Sequence, residues 1–207
     1  MSRKIIDLTI PCSDATEGVS VRLQDNLPVY LGQECYAYDL EIKSHTGTYF
    51  ETSAHVFRDG ETTDAVALER LVLPGVCVRI ISDERCITAA DLEMACKSLT
   101  LQPYSALLID TGRCDSENYR YFSRDAAQWM ARHKVALMGS NGYRYDSGFE
   151  NPTGFFIDLF EADIPIIANI TNLELLPNTG FTLIVLPLRI TGICTVPCRV
   201  IAVCGAL

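Results

Sequence analysis

The sequence HTGTYFETSAH, from His45 to His55, contains two of the three histidines of the chain, together with a carboxylate and a phenol. It follows a strand-like segment at positions 36–43, and its Gly47-Thr48 pair indicates a tight backbone turn. Histidine is the side chain that best combines metal ligation with proton transfer near neutral pH. We therefore expect this stretch to form a functional site; the alternative is a pair of unrelated surface histidines.

The same stretch resembles the signature His-x-Gly-Thr-His-x-Asp-x-Pro-x-His of the kynurenine formamidase/putative cyclase family. Four positions match this signature and three differ, with matches at His45, Gly47, Thr48 and His55 and replacements at Tyr49, Glu51 and Ser53. Segments 164–173, 186–190 and 197–202 resemble the closing strands of the family, and segments 68–72 and 108–113 fit between them in the expected order. The resemblance therefore covers almost the whole chain.

The resemblance implies an α/β fold in a single compact domain over residues 1–207. Its core is a mixed sheet, barrel-like, with flanking helices, of the swivelling β/β/α type of the cyclase family. β-Branched and aromatic residues predict strands at 4–9, 36–44, 76–81, 106–109, 135–138, 164–167, 182–186 and 199–204. A capping box at Thr88–Asp91 predicts one helix, Ser123 opens a second, and 154–162 forms a weaker third. Trp129 lies off the apolar stripe of the second helix by its spacing.

The resemblance also bears on metal binding, because members of the family usually hold two divalent ions, commonly zinc or manganese. Of the five ligand positions, the first His survives as His45 and the Asp becomes Glu51, whereas Tyr49, Phe156 and Ala168 replace the other three. A zinc site needs about three N, S or O ligands from the protein, and phenylalanine and alanine offer none. We therefore expect no two-metal site, and at most one zinc or manganese ion on His45 and Glu51.

Composition excludes several classes of protein. The chain has 207 residues, 48 % of them hydrophobic, and a formal net charge of −9. One domain is the natural expectation at this length, and no run approaches the ~18 apolar residues of a membrane helix. The excess of acidic groups argues against nucleic acid as a partner. The N-terminal segment lacks the apolar core of a secretion signal, so we expect a cytoplasmic protein.

The nine cysteines include no Cys-x-x-Cys pair. Cys194 and Cys198 are separated by three residues, but no second pair of soft ligands is near them in sequence to complete a tetrahedral site. Cys77 and Cys204 lie in apolar strands and are interpreted as small core residues. Cys114 is the best candidate for a reactive thiol, although a structural role is the simpler interpretation.

The loop at 141–148 is dense in polar and aromatic groups, and the resemblance locates it close to the metal site. Tyr143, Arg144 and Tyr145, together with Phe156, are candidate contacts for an aromatic or acidic small-molecule substrate. A packed surface turn capped by glycines is the alternative. His133 follows the second helix and is interpreted as a favourable cation at a helix C-terminus, with no catalytic role.

Family members usually form dimers or larger assemblies with the active site near a subunit boundary. Large apolar side chains around the predicted site support a homodimer or homotetramer here, namely Phe50, Phe57, Phe155, Phe156 and Phe160.

Three functions remain open on the sequence. The first is a hydrolase similar to arylformamidase, acting on an amide, ester or lactone bond, in which a metal on His45 and Glu51 activates water and His55 shuttles the proton. The second is a metal-free proton-transfer enzyme, a cyclase or isomerase, with His55 or His45 as the base. In that enzyme Tyr49 is a proton donor or oxyanion partner, and Glu51 orients an imidazole. The third is a non-catalytic binder; hydrolysis is the default expectation.

Overall fold

The computed structural model describes residues 3–25, 27–81, 84–112, 117–142, 144–148 and 150–205. The strands in these ranges are β1 (Lys4–Asp7), β2 (Val19–Leu23), β3 (Val29–Tyr30), β4 (Gln33–Glu34), β5 (Tyr38–Ile42), β6 (Tyr49–Glu51), β7 (Val72–Arg79), β8 (Cys86–Ile87), β9 (Ala106–Asp110), β10 (Tyr121–Phe122), β11 (Leu137–Ser140), β12 (Ile166–Ala168), β13 (Phe181–Pro187) and β14 (Thr195–Cys204). The α-helices are α1 (Ala89–Cys96), α2 (Arg124–Arg132) and α3 (Phe155–Glu161), and the short 3-10 helices are Ser53–His55, Leu68–Arg70 and Leu173–Leu175.

Seven strands close into a barrel in the order β14, β13, β7, β9, β11, β12 and β6. Closure results from β6, which pairs antiparallel with β12 on one side and with the first residues of β14 on the other. Strands β7, β9, β11 and β12 run parallel to one another, and β13 joins β7 to β14 through antiparallel pairs. β1 pairs with the last residues of β14. The predicted α/β fold with a mixed, barrel-like β core is therefore confirmed.

The apolar runs of the barrel strands fill two clusters of buried side chains. On β9, for example, Ala106 and Leu108 belong to one cluster, whereas Leu107 and Ile109 belong to the other, which also contains the buried residues of the three α-helices. Neighbouring residues of a strand point to opposite faces, so a strand covered on both faces is apolar throughout. All five residues of β9 are buried.

Side-chain caps start two of the helices where the sequence predicts. Thr88 and Asp91 form a reciprocal capping box at α1, and the hydroxyl of Ser123 accepts from the backbone N–H of Ala126 at α2. Trp129, which lies off the apolar stripe of α2 by its spacing, is nevertheless buried, and its Nε1 donates to Glu93 Oε2 on α1 at 2.7 Å. Helix α1 packs on that side of α2, which the periodicity of α2 alone cannot reveal. No helix in the described ranges has the length and apolarity needed to cross a membrane.

The strand predicted at 36–44 forms, but outside the barrel. β5 pairs only with β2 among the described strands, and every residue of β5 is exposed. The barrel strand is instead β6, within the signature itself, which the strand pattern missed because only three of its residues pair. Two hairpins, β2–β5 and β3–β4, therefore project large apolar groups into solvent, namely Leu23, Val29, Tyr30, Leu31, Tyr36, Tyr38, Leu40 and Ile42.

The phenylalanines predicted to favour an oligomer contribute mostly to the core. Phe50, Phe155 and Phe160 are buried, and Phe57 and Phe156 are partly buried and pack against the core. These five residues therefore do not supply the exposed apolar surface from which an oligomer was expected. The hairpins supply such a surface elsewhere on the molecule.

Candidate active site

The turn before β6 is anchored by the Gly-Thr pair of the signature. Gly47 has a φ of 61°, and a Cβ at this position would collide with Cys12 Sγ, so only glycine fits without strain. The hydroxyl of Thr48 donates to the carbonyl of Asn169 at 2.6 Å and accepts from the N–H of Ile10 at 3.0 Å. The turn therefore delivers His45 and the first residue of β6 to fixed positions beside the end of β12.

Strand β6 and the 3-10 helix after it bring three titratable side chains together. His45 Nε2 lies 2.9 Å from Glu51 Oε2, and His55 Nδ1 lies 3.7 Å from the same oxygen. The rings of His45 and His55 are 5.2 Å apart, and the ring of Tyr49 is 5.1 Å from that of His45. The four residues predicted to be catalytic from the sequence therefore form one cluster.

Burial acts differently on the members of this cluster. The Glu51 side chain is 3 % exposed, and burial raises its pKa above the ordinary value, partly offset by the charge of His55 and the hydroxyl of Thr195. Burial lowers the pKa of His45, which favours the neutral imidazole. Burial also raises the pKa of Tyr49 far above its ordinary value, with a further contribution from Glu51, so the phenol keeps its proton. Shifts of this kind, grouped beside a cavity, are typical of functional sites.

A cavity of about 650 Å³ adjoins the cluster. His45 and Tyr49 line it, whereas Glu51 and His55 contact His45 but are not lining residues. The rest of the lining is mostly apolar and includes Val56, Arg144, Tyr145, Asp146, Pro152, Phe156, Ile157, Ile166 and Ala168. Three of the four predicted substrate contacts are thus at the cavity wall. The fourth, Tyr143, lies outside the described residues, as does Cys114.

Tyr145 contributes a ring to the cavity rather than a hydroxyl. The residue is 4 % exposed, and its Oη lies 2.6 Å from the carbonyl of Ile167 and 3.1 Å from that of Ser140. A phenol has one proton to donate, and both nearby acceptors belong to the backbone. The hydroxyl therefore ties the loop to β11 and β12 and is not directed at a ligand.

The donor atoms of the cluster fit one metal ion. One ligand atom each from His45, Glu51 and His55 lies within 4.8 Å of the other two, so small movements would bring all three onto one ion. Imidazole and carboxylate donors suit zinc or manganese. The positions that would complete a second ion hold Tyr49, Phe156 and Ala168, and all three side chains line the cavity. The side chains here fit one ion and not the two-ion set implied by the resemblance.

Sequence reasoning missed two residues of the cluster. Thr195 is buried and donates to Glu51 Oε2 at 3.1 Å, and Cys194 Sγ lies 4.0 Å from His55 Nδ1. Both residues reach the site because Thr195 pairs with Glu51 across β14 and β6. No local pattern indicates this pairing of residues 144 positions apart. No pair of soft ligands was expected beside Cys194 and Cys198, and among the described residues the donor atoms that group together are those of His45, Glu51 and His55, with Cys194 outside that group but near His55.

Comparisons with known proteins agree with this architecture. A family model described as "Putative cyclase" matches residues 6–147, more than half of the chain. Isatin hydrolase A from Labrenzia aggregata, bound to benzyl benzoate, superimposes with a TM-score of 0.78 at 20 % identity, over 99 % of this chain and 94 % of that one.

Two further solved structures are similar over nearly their whole length. A predicted metal-dependent hydrolase from Bacillus stearothermophilus has a TM-score of 0.79 at 20 % identity, over 98 % of this chain and 99 % of that one. An isatin hydrolase bound to the product analogue thioisatinate has a TM-score of 0.80 at 17 % identity, over 99 % of this chain and 93 % of that one. At these identities the similarity establishes the fold. The search of curated proteins returns no match to this chain.

Proposed function

The chain belongs to the putative cyclase family. From that premise we propose that it hydrolyses an amide, ester or lactone bond in a small molecule, with aromatic molecules favoured. The proposed enzyme works without a two-metal site. The observation that carries the proposal is the position of His45 and Tyr49 in the wall of an apolar cavity of about 650 Å³. This volume is within the range of small-molecule sites, about 300–1,000 Å³. Aromatic side chains among the lining residues suit a flat, apolar ligand.

Among its described residues, the cavity wall holds one acidic residue, Asp146, and one permanent cation, Arg144, and the cation supports hydrolysis in particular. Cleavage of an amide, ester or lactone produces a carboxylate, and Arg144 in the cavity wall offers a planar cation that can pair with it. One structural neighbour is an isatin hydrolase, and isatin carries an amide in a ring fused to an arene. That neighbour shares the fold of this chain, which is consistent with the proposed substrate class.

The side chains divide the chemistry between them. The Nε2 of neutral His45 is hydrogen-bonded to Glu51, so Nδ1 is the nitrogen that takes the proton of the attacking water, in place of its 3.0 Å contact with the Ser44 hydroxyl. Glu51 stabilises the imidazolium that forms. Tyr49, which retains its proton, donates a hydrogen bond to the oxygen on which negative charge develops. His55, whose ring lies 5.2 Å from that of His45, carries this proton to the nitrogen or oxygen of the leaving group, which departs as an amine or alcohol. A metal on His45, Glu51 and His55 would supply Lewis-acid polarisation and a water of lowered pKa.

One observation favours a second candidate, a metal-free cyclase or isomerase that works by proton transfer. His45 Nε2 and Glu51 Oε2 lie at hydrogen-bond distance, 2.9 Å, so the pair can exchange a proton without an ion between them. Burial raises the pKa of Glu51 and lowers the pKa of His45. The proton affinities of the two side chains are therefore closer to each other than in water. Such a pair suits the removal and return of a substrate proton.

Turnover of a panel of aryl amides, esters and lactones tests the proposal, with and without added zinc or manganese. His45→Gln should lower the rate by about 10²–10⁴-fold. His133→Gln is the matched control, because this histidine stacks on Trp129 at the end of α2 and should leave the rate unchanged. If no member of the panel turns over but aryl acids raise the melting temperature, the protein is a binder and the hydrolase proposal fails.

We also propose a symmetric homodimer or homotetramer. The two hairpins expose a group of apolar side chains, with Tyr30 70 %, Tyr38 54 % and Leu40 63 % accessible. Monomeric proteins rarely leave large contiguous apolar surfaces uncovered, and closed symmetric assemblies are the usual way to cover them.

A further inference from the structure

We propose that Cys194 is the fourth donor of a single-ion metal site in which His45, Glu51 and His55 are the other three. The ion is of the zinc class, and the thiol gives up its proton to solvent as the sulfur–metal bond forms. This inference concerns metal binding in the resting protein. It stands independently of the hydrolase proposal, and the experiments that test it use no substrate.

The spacing around His55 Nδ1 is the first argument. This nitrogen lies 3.7 Å from Glu51 Oε2 and 4.0 Å from Cys194 Sγ. Hydrogen bonds between nitrogen and oxygen are shorter, about 2.7–3.2 Å. Donors bound to one tetrahedral zinc at about 2.0–2.3 Å are separated by roughly 3.3–3.8 Å. The distances from His55 Nδ1 to Glu51 Oε2 and to Cys194 Sγ are therefore closer to the spacing of two ligands on one ion than to the length of a hydrogen bond between nitrogen and oxygen.

The backbone and one hydroxyl hold the cysteine in place. The carbonyl of Cys194 accepts from the N–H of Thr52 at 3.0 Å and from its hydroxyl at 3.2 Å. The buried hydroxyl of Thr195 lies 3.1 Å from Glu51 Oε2 and 3.5 Å from Cys194 Sγ. A group that touches two donors at once fixes their orientation, as the outer hydrogen bonds of metal sites do. Cys194 Sγ lies outside the group of close donor atoms formed by His45, Glu51 and His55, so its side chain must turn toward that group to share the ion. His45 and Glu51 must also exchange their 2.9 Å hydrogen bond for the ion.

The donor chemistry distinguishes this site from one built only of nitrogen and oxygen. Thiolate, imidazole and carboxylate are all zinc ligands, and a thiolate shifts preference from manganese toward zinc. With three protein donors an ion keeps one open position for water, whereas a fourth protein donor closes the site. Cys194 therefore occupies the open position, and an ion bound in this way is held as in a structural site until the sulfur is displaced.

Titration of the chelator-treated protein with Co²⁺, followed by competition with Zn²⁺, tests the inference. The wild-type protein should bind one Co²⁺ per chain with thiolate-to-cobalt charge-transfer absorption in the near ultraviolet. Cys194→Ser should abolish that absorption and weaken Zn²⁺ binding by at least about 10-fold, because loss even of an outer hydrogen bond costs 10–100-fold in metal affinity. Cys204→Ser, at the other end of β14, is the matched control and should retain both properties.

Two results would overturn the inference. One is d–d absorption from bound Co²⁺ without the charge-transfer band, which indicates an ion on the histidines and Glu51 alone. The other is a charge-transfer band that persists in Cys194→Ser, which indicates that a different thiolate binds the ion. Thermal unfolding of the metal-free variants separates a lost ligand from a lost fold, and Cys194→Ala repeats the test without a hydroxyl. Neither result bears on turnover, so the hydrolase proposal is judged separately.

Discussion

Replacement of Glu51 by glutamine should change how the stability of the protein depends on pH. The carboxyl is buried, accepts from Thr195 at 3.1 Å and lies 2.9 Å from His45 Nε2. Burial raises its pKa, which means that the folded protein binds this proton more tightly than the unfolded chain does. Ionisation of Glu51 therefore opposes folding, and stability is lost as pH rises from 4.5, the ordinary value, through the raised one.

His45 acts in the opposite direction. Burial lowers its pKa, so the unfolded chain binds this proton more tightly, and stability is lost as pH falls through the ordinary value of 6.5. Of these two contributions, the Glu51→Gln variant keeps only that of His45. Its free energy of unfolding should rise with pH across the acid range, whereas the two contributions partly cancel in the wild-type protein.

The magnitude follows from the same linkage. At low pH the two proteins should differ by about 1 kcal/mol or less, because glutamine can keep the hydrogen bond from Thr195. At neutral pH the difference should move in favour of the variant by about 1.4 kcal/mol for each unit by which folding raises the pKa of Glu51.

Urea denaturation of the metal-free proteins between about pH 4 and about pH 7 measures this difference. Glu34→Gln, in the exposed β4, is the control for the loss of one negative charge. If the free energies of unfolding of the wild type and Glu51→Gln change in parallel with pH, folding does not raise the pKa of Glu51. The electrostatic description of the site would then be wrong.

The remaining predictions concern the site, the metal and the assembly. His55→Gln should lower turnover of any substrate found by about 10²–10⁴-fold with an unchanged melting temperature; an unchanged rate removes His55 from the mechanism and leaves His45 with Tyr49. Plasma emission analysis of protein purified without added metal should give fewer than two transition-metal ions per chain, and a value of two contradicts the assignment of Tyr49, Phe156 and Ala168 as non-ligands. Light scattering at micromolar concentration should give the mass of a dimer or tetramer, and Leu40→Lys in the exposed hairpin should reduce it; a monomeric wild type refutes the oligomer. Tyr145→Phe should destabilise the fold by about 1–3 kcal/mol in urea, because the buried carbonyl of Ile167 loses the hydroxyl that donates to it at 2.6 Å, and a change below about 0.5 kcal/mol would show that water replaces the hydroxyl.

The sequence alone determined the fold class and the main part of the site. The signature from His45 to His55 contains the four side chains of the candidate cluster within one turn, one strand and one 3-10 helix, so local geometry suffices to gather them. The residue types at 106–109 predicted a strand, which forms as β9 with all five of its residues buried. The capping box at Thr88 located the start of α1, because a cap is a contact between residues three positions apart.

Only the tertiary structure decided what approaches these residues from elsewhere in the chain. Barrel closure through β6 and β14 brings Cys194 and Thr195 to Glu51 and His55, and it depends on strand pairing that leaves no mark in either segment. Pairing also decided that β5 lies in an exposed hairpin, since an apolar strand has the same pattern wherever its partner lies. Local sequence fixes the direction of a side chain along its own strand, whereas its neighbours across the barrel depend on how the whole chain closes.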